Sequence, residues 1–255
     1  MESSRLEVRL AASEEDLLAS QRLRYQVFVA ELGGGGAMVN HAAQLECDAF
    51  DPVYDHLLLV DPAIDPETLS HVVGVYRLLR SDRAAAFGRY YCDEEYDLGP
   101  LKALNRPMLE LGRSCVHPDH RGGAAMFLLW NGLADYVLTN RIEILFGVAS
   151  FHGTDLQALK MPLAWLHHHH RAPDALRARA RVFQPMDLVP PEALDRRAAM
   201  AAMPNLIKSY LKLGGFVGEG AFIDHDFNTT DVLVMMDTTA MSAKHRSFYT
   251  RRVEV

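Results

Sequence analysis

The chain has 255 residues, of which 49% are hydrophobic and 23% charged, with a formal net charge of -7. That composition supports a full hydrophobic core and excludes large-scale disorder, and the acidic balance argues against non-specific nucleic-acid binding. Cys47, Cys92 and Cys115 are odd in number and lie at no metal-type spacing, and the polar start after Met1 lacks an apolar signal core, so a reduced cytoplasmic setting is expected.

In chain order, Ser13 to Glu31 predicts an amphipathic helix, with a Ser cap, the acidic residues Glu14, Glu15 and Asp16, and apolar residues at helical spacing. Gly33 to Gly36 can hold neither helix nor strand and predicts a loop before the acidic segment Glu46 to Asp55. His56 to Asp61 and Val72 to Leu79 read as a hairpin. Met108 to Val116 reads as a central strand, followed by a helix from Gly123 to Thr139 and a strand from Ile142 to Ser150; a strand-helix-strand unit of this kind places its strands parallel and adjacent. The apolar run from Met126 to Leu138 is broken by Asn131 and Asp135 and falls short of a bilayer span. Residues 151–203 carry a different pattern, helical from Asp155 to His170 and arginine-rich from Ala172 to Arg181, and are expected to be an insertion within a single domain of residues 1–255. A helix from Asn205 to Leu213, a glycine pair and two strand-like stretches close the chain.

The most informative stretch runs from Met108 to Leu138. A strand, a turn containing Arg121, Gly122 and Gly123, and a helix N-terminus together make an anion cradle, because the first N–H groups of a helix lack internal partners. A phosphorylated group is expected there. Glu110 on the same strand supplies a carboxylate, the arrangement of a group-transfer enzyme with a carrier-bound donor. Its alternative is a buried ion pair with Arg113 or Arg77. Asp48, Asp51 and Asp55 beside Glu46 form an acidic cluster with no basic residue in its own segment, which a cationic amino acid would match, or else an exposed acidic turn in which Asp and Pro52 serve the turn geometry. Arg24 and Arg77 could hold a substrate carboxylate or brace the acidic segment from inside; both readings stay open. Cys115, a lone thiol on an apolar strand, reads as core rather than nucleophile. The run His167 to His170 spreads around a helix and predicts a polar helix end, with no metal expected. Arg171, Arg177, Arg179 and Arg181 suit an acidic carrier protein or anionic headgroups, or form a solvated basic face.

The order of elements, with the Arg121-Gly122-Gly123 turn and Tyr210-Leu211-Lys212-Leu213-Gly214-Gly215-Phe216 before a final hairpin, resembles the GCN5-related N-acyltransferase (GNAT) fold. Arg24, Phe28, Asp48, Asp51, Tyr76-Arg77-Leu78-Leu79 and Glu110-Leu111-Gly112-Arg113 are similar to the pattern of acyl-homoserine-lactone synthases. His56-Leu57-Leu58-Leu59-Val60, Pro162-Leu163-Ala164-Trp165-Leu166-His167-His168 and Asp226-Phe227-Asn228-Thr229-Thr230-Asp231-Val232 resemble the L-ornithine Nα-acyltransferases, and this resemblance covers nearly the whole chain.

The resemblance implies an α/β (α+β) fold, a mixed sheet flanked by helices, with the helical insertion placed before the last helix and hairpin. It implies acyl transfer to the α-amine of ornithine, giving lyso-ornithine lipid, or the same chemistry on another amino acid or a homoserine-type precursor. A silent member that binds a carrier protein or acyl ligand is the contrasting reading. Glu110 is the candidate base and Tyr210 the candidate acid. Arg24, Phe28, Asp48, Asp51, Arg77 and Arg113 are the candidate substrate-binding set. Ser114, Cys115, Val116, Arg121, Gly122, Gly123 and Ala124 are the candidate donor-binding set, with a backbone N–H near Ser114 to Val116 as oxyanion donor. The loop departs from the acetyltransferase pattern at Ala124 and Met126, where side chains would crowd a pyrophosphate; this favours the phosphopantetheine thioester of acyl-carrier protein over CoA. No permanently bound cofactor and no nucleic acid is expected, and a cytoplasmic enzyme touching the inner membrane peripherally fits a lipid product.

Overall fold

The computed structural model describes residues 6–122 and 124–240. Its strands are β1 (Glu7–Leu10), β2 (Val39–Asn40), β3 (Leu45–Glu46), β4 (Asp55–Val60), β5 (Val72–Arg80), β6 (Tyr96–Asp97), β7 (Met108–Val116), β8 (Ile144–His152), β9 (Arg179–Ala180), β10 (Phe216–Val217), β11 (Phe222–Asp224) and β12 (Thr229–Asp237). Its α-helices are α1 (Glu14–Arg24), α2 (Ser81–Phe87), α3 (Gly99–Ala103), α4 (Ala125–Thr139), α5 (Leu156–His170), α6 (Arg196–Ala202) and α7 (Asn205–Lys212). Among the described residues no helix is long and apolar enough to cross a membrane.

The chain forms two compact units, and β7 contributes to both. The first holds residues 6–88 and 111–141, the second residues 89–110 and 142–240. Residues 151–203 therefore fall inside the second unit, in company with β8 and the closing strands.

In the first unit β1 pairs antiparallel with β4, and β4 with β5, so the expected hairpin is present. The far edge of β5 meets β7. Ala19, Leu23 and Val27 pack on Leu58, Val60, Val72, Val75 and Cys115, a core made by one face of the first helix and alternate strand positions. The Ser13 side chain accepts from the Asp16 N–H, capping α1 as its sequence predicts. The helix does not run on in α form. At Tyr25 it widens into a seven-residue π-helix, Tyr25–Glu31, ending at the glycine run. On the other side α4 lies close to the strands: a Cβ on Gly132 would sit 2.4 Å from Val8 Cγ1, so this crossing needs a residue without a side chain.

In the second unit Met108–Glu110 of β7 pairs parallel with Ile144–Phe146 of β8, the geometry a strand-helix-strand unit requires. Along its whole length β8 pairs antiparallel with β12, and β12 also pairs with β10 and β11. Asp155 caps α5 through the Gln157 N–H. The four histidines form the last turn of that helix: His169 stacks on Trp165 at 3.9 Å and His168 meets the Val189 carbonyl at 3.1 Å.

Candidate active site

Within the first unit, helix α1, the segment after β3 and strands β5 and β7 bring together residues that lie far apart in sequence. Arg24 is fully buried; its Nε donates to Glu46 at 2.5 Å, and its two terminal nitrogens reach both Asp51 oxygens at 2.8 Å. Arg77, also buried, donates to Asp48 at 2.8 and 2.9 Å and to Asp51 at 2.9 Å, with its guanidinium 4.6 Å from the centre of the Tyr54 ring. Arg113 donates to the other Glu46 oxygen at 3.0 Å. Asp48 caps its own turn by accepting the Phe50 and Asp51 N–H groups, and Gln21 donates to Asp51 at 2.9 Å.

This geometry corrects the expectation that the acidic segment waits for an external cation. Arg24, Arg77 and Arg113 supply the charge from within the chain, and of the two readings of Arg24 and Arg77 the bracing one is what their contacts describe. Burial alone would raise the Glu46 carboxyl, but Arg113, Arg24 and Arg77 outweigh it and hold it at about 2. Burial likewise opposes ionisation of Asp51, and its hydrogen bonds from Arg24 and Arg77 keep it well below the usual carboxylate range. Asp55 stands apart from this cluster, taking Arg83 at 2.8 Å and the Tyr136 hydroxyl at 2.6 Å. The exposure of the three arginine side chains separates their roles: 0% for Arg24, 1% for Arg77 and 14% for Arg113. Arg113 also has a positive φ of 49°, a left-handed conformation that a non-glycine residue adopts at a cost of roughly 1–3 kcal/mol and that interrupts the regular pleat of β7.

Sequence reasoning placed Glu46 beside this cluster without giving it a site role, and it gave His56 none. The His56 ring is buried, with Nε2 3.1 Å from the Asp51 carbonyl and Nδ1 3.2 Å from the Ser20 hydroxyl. A carbonyl can only accept, so Nε2 carries the proton and Nδ1 accepts from Ser20. Burial and the neighbouring Arg24 push the imidazole down to about 4, leaving it neutral. A lone histidine heading the apolar run Leu57 to Val60 was the available signal. Phe28 packs its ring against the α1 core.

The turn of Arg121 and Gly122 sits on the same unit. Gly122 has a φ of 81°, which its lack of a Cβ permits; Gly123 lies outside the described residues. Ala124 precedes α4 with no side-chain cap, so backbone N–H groups open the helix. Arg121 donates through Nε to the Val116 carbonyl at 2.9 Å and holds Glu31 with two 2.6 Å bonds. The Ser114 hydroxyl oxygen is buried and has no hydrogen-bond partner among the described residues. The Cys115 side chain belongs to the core and burial pushes its thiol up to about 12, which leaves only its backbone for a ligand.

Glu110 and Tyr210 belong to the second unit. Glu110 is 1% exposed, and its two oxygens accept the Tyr91 N–H at 2.9 Å and the Cys92 N–H at 2.6 Å. These donors open the 3₁₀ turn Tyr91–Glu94, so the carboxylate fixes that turn and is itself fixed in orientation. Tyr210 lies buried on α7. The arginines of the 171–181 segment are partly tied down: Arg177 to Asp174 at 2.6 Å, Arg179 to Glu219 at 3.1 Å and Arg181 to the Asp93 carbonyl at 2.7 Å. Among the described residues no group of three or more His, Cys, Asp or Glu could hold a metal ion.

A mixed sheet flanked by helices is the framework of a GNAT acyltransferase, and residues 23–131 match the family described as acetyltransferase (GNAT) domain. Solved structures agree on the fold. A CoA-dependent acyl-homoserine lactone synthase with MTA aligns at TM-score 0.55 and 14% identity over 96% of this chain and 88% of that one. An N-acyl amino acid synthase from uncultured soil microbes aligns at TM-score 0.53 and 11% identity over 93% of each chain. Among curated relatives, an L-ornithine N(alpha)-acyltransferase of Rhodobacter capsulatus is 70% identical over 97% of this chain and 96% of its own length, and one of Brucella abortus is 41% identical over 96% and 88%. The chain belongs to the L-ornithine Nα-acyltransferase family. It is an enzyme, an acyltransferase.

Proposed function

We propose that this protein transfers a fatty or 3-hydroxyfatty acyl group from the phosphopantetheine thioester of acyl-carrier protein to the α-amine of L-ornithine, giving lyso-ornithine lipid. The observation that carries this reading is near-full-length similarity, at 70% identity, to a protein named for that acceptor. The donor is our own assignment. It rests on Ala124 and Met126 in the turn, where Met126 is 39% exposed at the helix start and would crowd a pyrophosphate.

In this reading the neutral amine attacks the thioester carbonyl, the new C–N bond forms and the C–S bond breaks. Glu110 takes the amine proton, directly or through water, with its carboxylate oriented by its two backbone N–H bonds. Tyr210 returns a proton to the departing thiolate. Backbone N–H groups near Ser114 to Val116, with the Ser114 hydroxyl beside them, face the oxyanion. Arg113, the least buried member of the arginine set, meets the ornithine carboxylate, while Arg24, Arg77, Asp48 and Asp51 keep its surroundings rigid and Phe28 supplies apolar support. Turnover takes place in the cytoplasm, with peripheral contact to the inner membrane that receives the product.

Mass spectrometry after incubation with 3-hydroxyacyl-carrier protein and mixed free amino acids tests the whole assignment: N-acyl ornithine is expected. Transfer to a different amine, or a product formed only from acyl-CoA, overturns the acceptor or the donor. Glu110→Gln is expected to lower kcat by about 10²–10⁴-fold and stability by about 1–3 kcal/mol, since one backbone N–H loses its acceptor. If only stability falls, Glu110 is a brace and not the base.

A further inference from the structure

Arg121 stands at the turn expected to take the donor phosphate, yet its guanidinium is already engaged by a carboxylate. Both terminal nitrogens hold Glu31 at 2.6 Å, one to each oxygen, a fork-to-fork pair with the geometry a phosphate would also use. Nε is bound separately to the Val116 carbonyl. That third bond keeps the guanidinium in position whether or not Glu31 stays. The pair is exposed, 42% for Arg121 and 35% for Glu31, and pairs in such surroundings are worth only about 0–1 kcal/mol, so a phosphate can replace the carboxylate at small cost.

The segment carrying Glu31 has an irregular backbone at which the carboxylate can shift off the guanidinium while staying at the turn. Glu31 is the last residue of the π-helix Tyr25–Glu31, an uncommon geometry that recurs at functional sites. The glycine run follows after Leu32, and Gly33 and Gly36 have φ values of 77° and 86°, open to a glycine and strained for other residues. The hydrogen bonds from Arg121 keep the Glu31 carboxyl below its ordinary range, so it is charged throughout the neutral range.

We propose that Glu31 is a resident counter-anion on Arg121 that the donor phosphate displaces, and that its charge selects the single phosphodiester of carrier-bound pantetheine over the several phosphate charges of CoA. After displacement the Glu31 carboxylate remains next to the bound phosphate, and like charges at close range are costly. A donor with one phosphate charge meets that repulsion once; CoA, with its pyrophosphate and 3′-phosphate, meets it more strongly. The inference rests on the carrier-protein donor proposed above and on its phosphate docking at the turn of Arg121 and Gly122.

Equilibrium binding of CoA and of 4′-phosphopantetheine to the full chain, with no acceptor present, tests it without turnover. Glu31→Gln is expected to tighten CoA about three- to tenfold and 4′-phosphopantetheine by less, and to raise kcat/KM with acyl-CoA relative to acyl-carrier protein. Glu31→Asp, which keeps the charge, should retain the discrimination. Unchanged or weaker CoA binding in the Gln variant overturns the proposal and makes the pair a surface brace. Failure of the donor reading looks different: neither compound would bind competitively with acyl-carrier protein, in wild type or variant.

Discussion

At the scale of single residues, Asp51 sets the price of the buried charge network. It accepts from Gln21, Arg24 and Arg77, and the two arginines are withdrawn from solvent. Breaking a buried pair from one side strands the other charge, a larger penalty than the pair's net worth. Asp51→Ala is therefore expected to cost about 3–5 kcal/mol in urea unfolding. Asp51→Asn keeps an acceptor for one guanidinium and should cost less. Equal losses in the two variants would show that the carboxylate charge, and not hydrogen-bond acceptance, is what the arginines require. Nothing in the sequence distinguished this bracing from substrate binding, because Arg24, Asp51 and Arg77 are joined only by the tertiary fold; identifying the residue types was possible from sequence, while pairing them was not.

At the scale of elements, the legible features were those written in local pattern: the Ser13 cap, the β4–β5 hairpin, the parallel β7–β8 pair and α5 ending in its histidines. The change to π-helix at Tyr25 was not legible, since Val27 and Phe28 continue the apolar spacing of a regular helix. The short β1 strand was also missed, and it explains a glycine that the pattern left unexplained. Gly132 lies in the middle of α4, where glycine costs about 1 kcal/mol relative to alanine. It is there because Val8 of β1 and Leu57 of β4 come within 2.4 and 3.3 Å of where a Cβ would stand. Valine is stiff at χ1, so Val8 cannot turn away cheaply. Gly132→Ala is expected to lower stability by about 1–2 kcal/mol despite the better helix former, and Gly132→Ala combined with Val8→Ala should recover part of that loss. A thermal melt of the single variant above wild type would mean that propensity outweighs the close approach.

At the scale of the whole molecule, the buried charges make stability depend on pH in a definite order. His56 is neutral in the fold because burial and Arg24 hold it at about 4, whereas an unfolded histidine titrates near 6.5. Between these values the unfolded chain binds a proton that the folded chain does not, so stability rises with pH across the window and is lost as pH falls from about 6.5 to about 4. The loss is roughly 3 kcal/mol if His56 acts alone. Glu46 and Asp51 act lower on the scale, since their folded values lie far below the unfolded carboxylate range; the stability they carry is present above about pH 4 and disappears as they are forced to protonate. Urea midpoints measured between pH 7 and pH 4 should therefore fall steadily in wild type. His56→Gln can still hydrogen-bond at the same place and cannot titrate, so its midpoint should start lower at pH 7 and stay nearly flat to pH 4.5. A wild-type midpoint constant over that range, or a Gln variant as steep as wild type, would show that the acid sensitivity arises elsewhere than at the histidine beneath the arginine network.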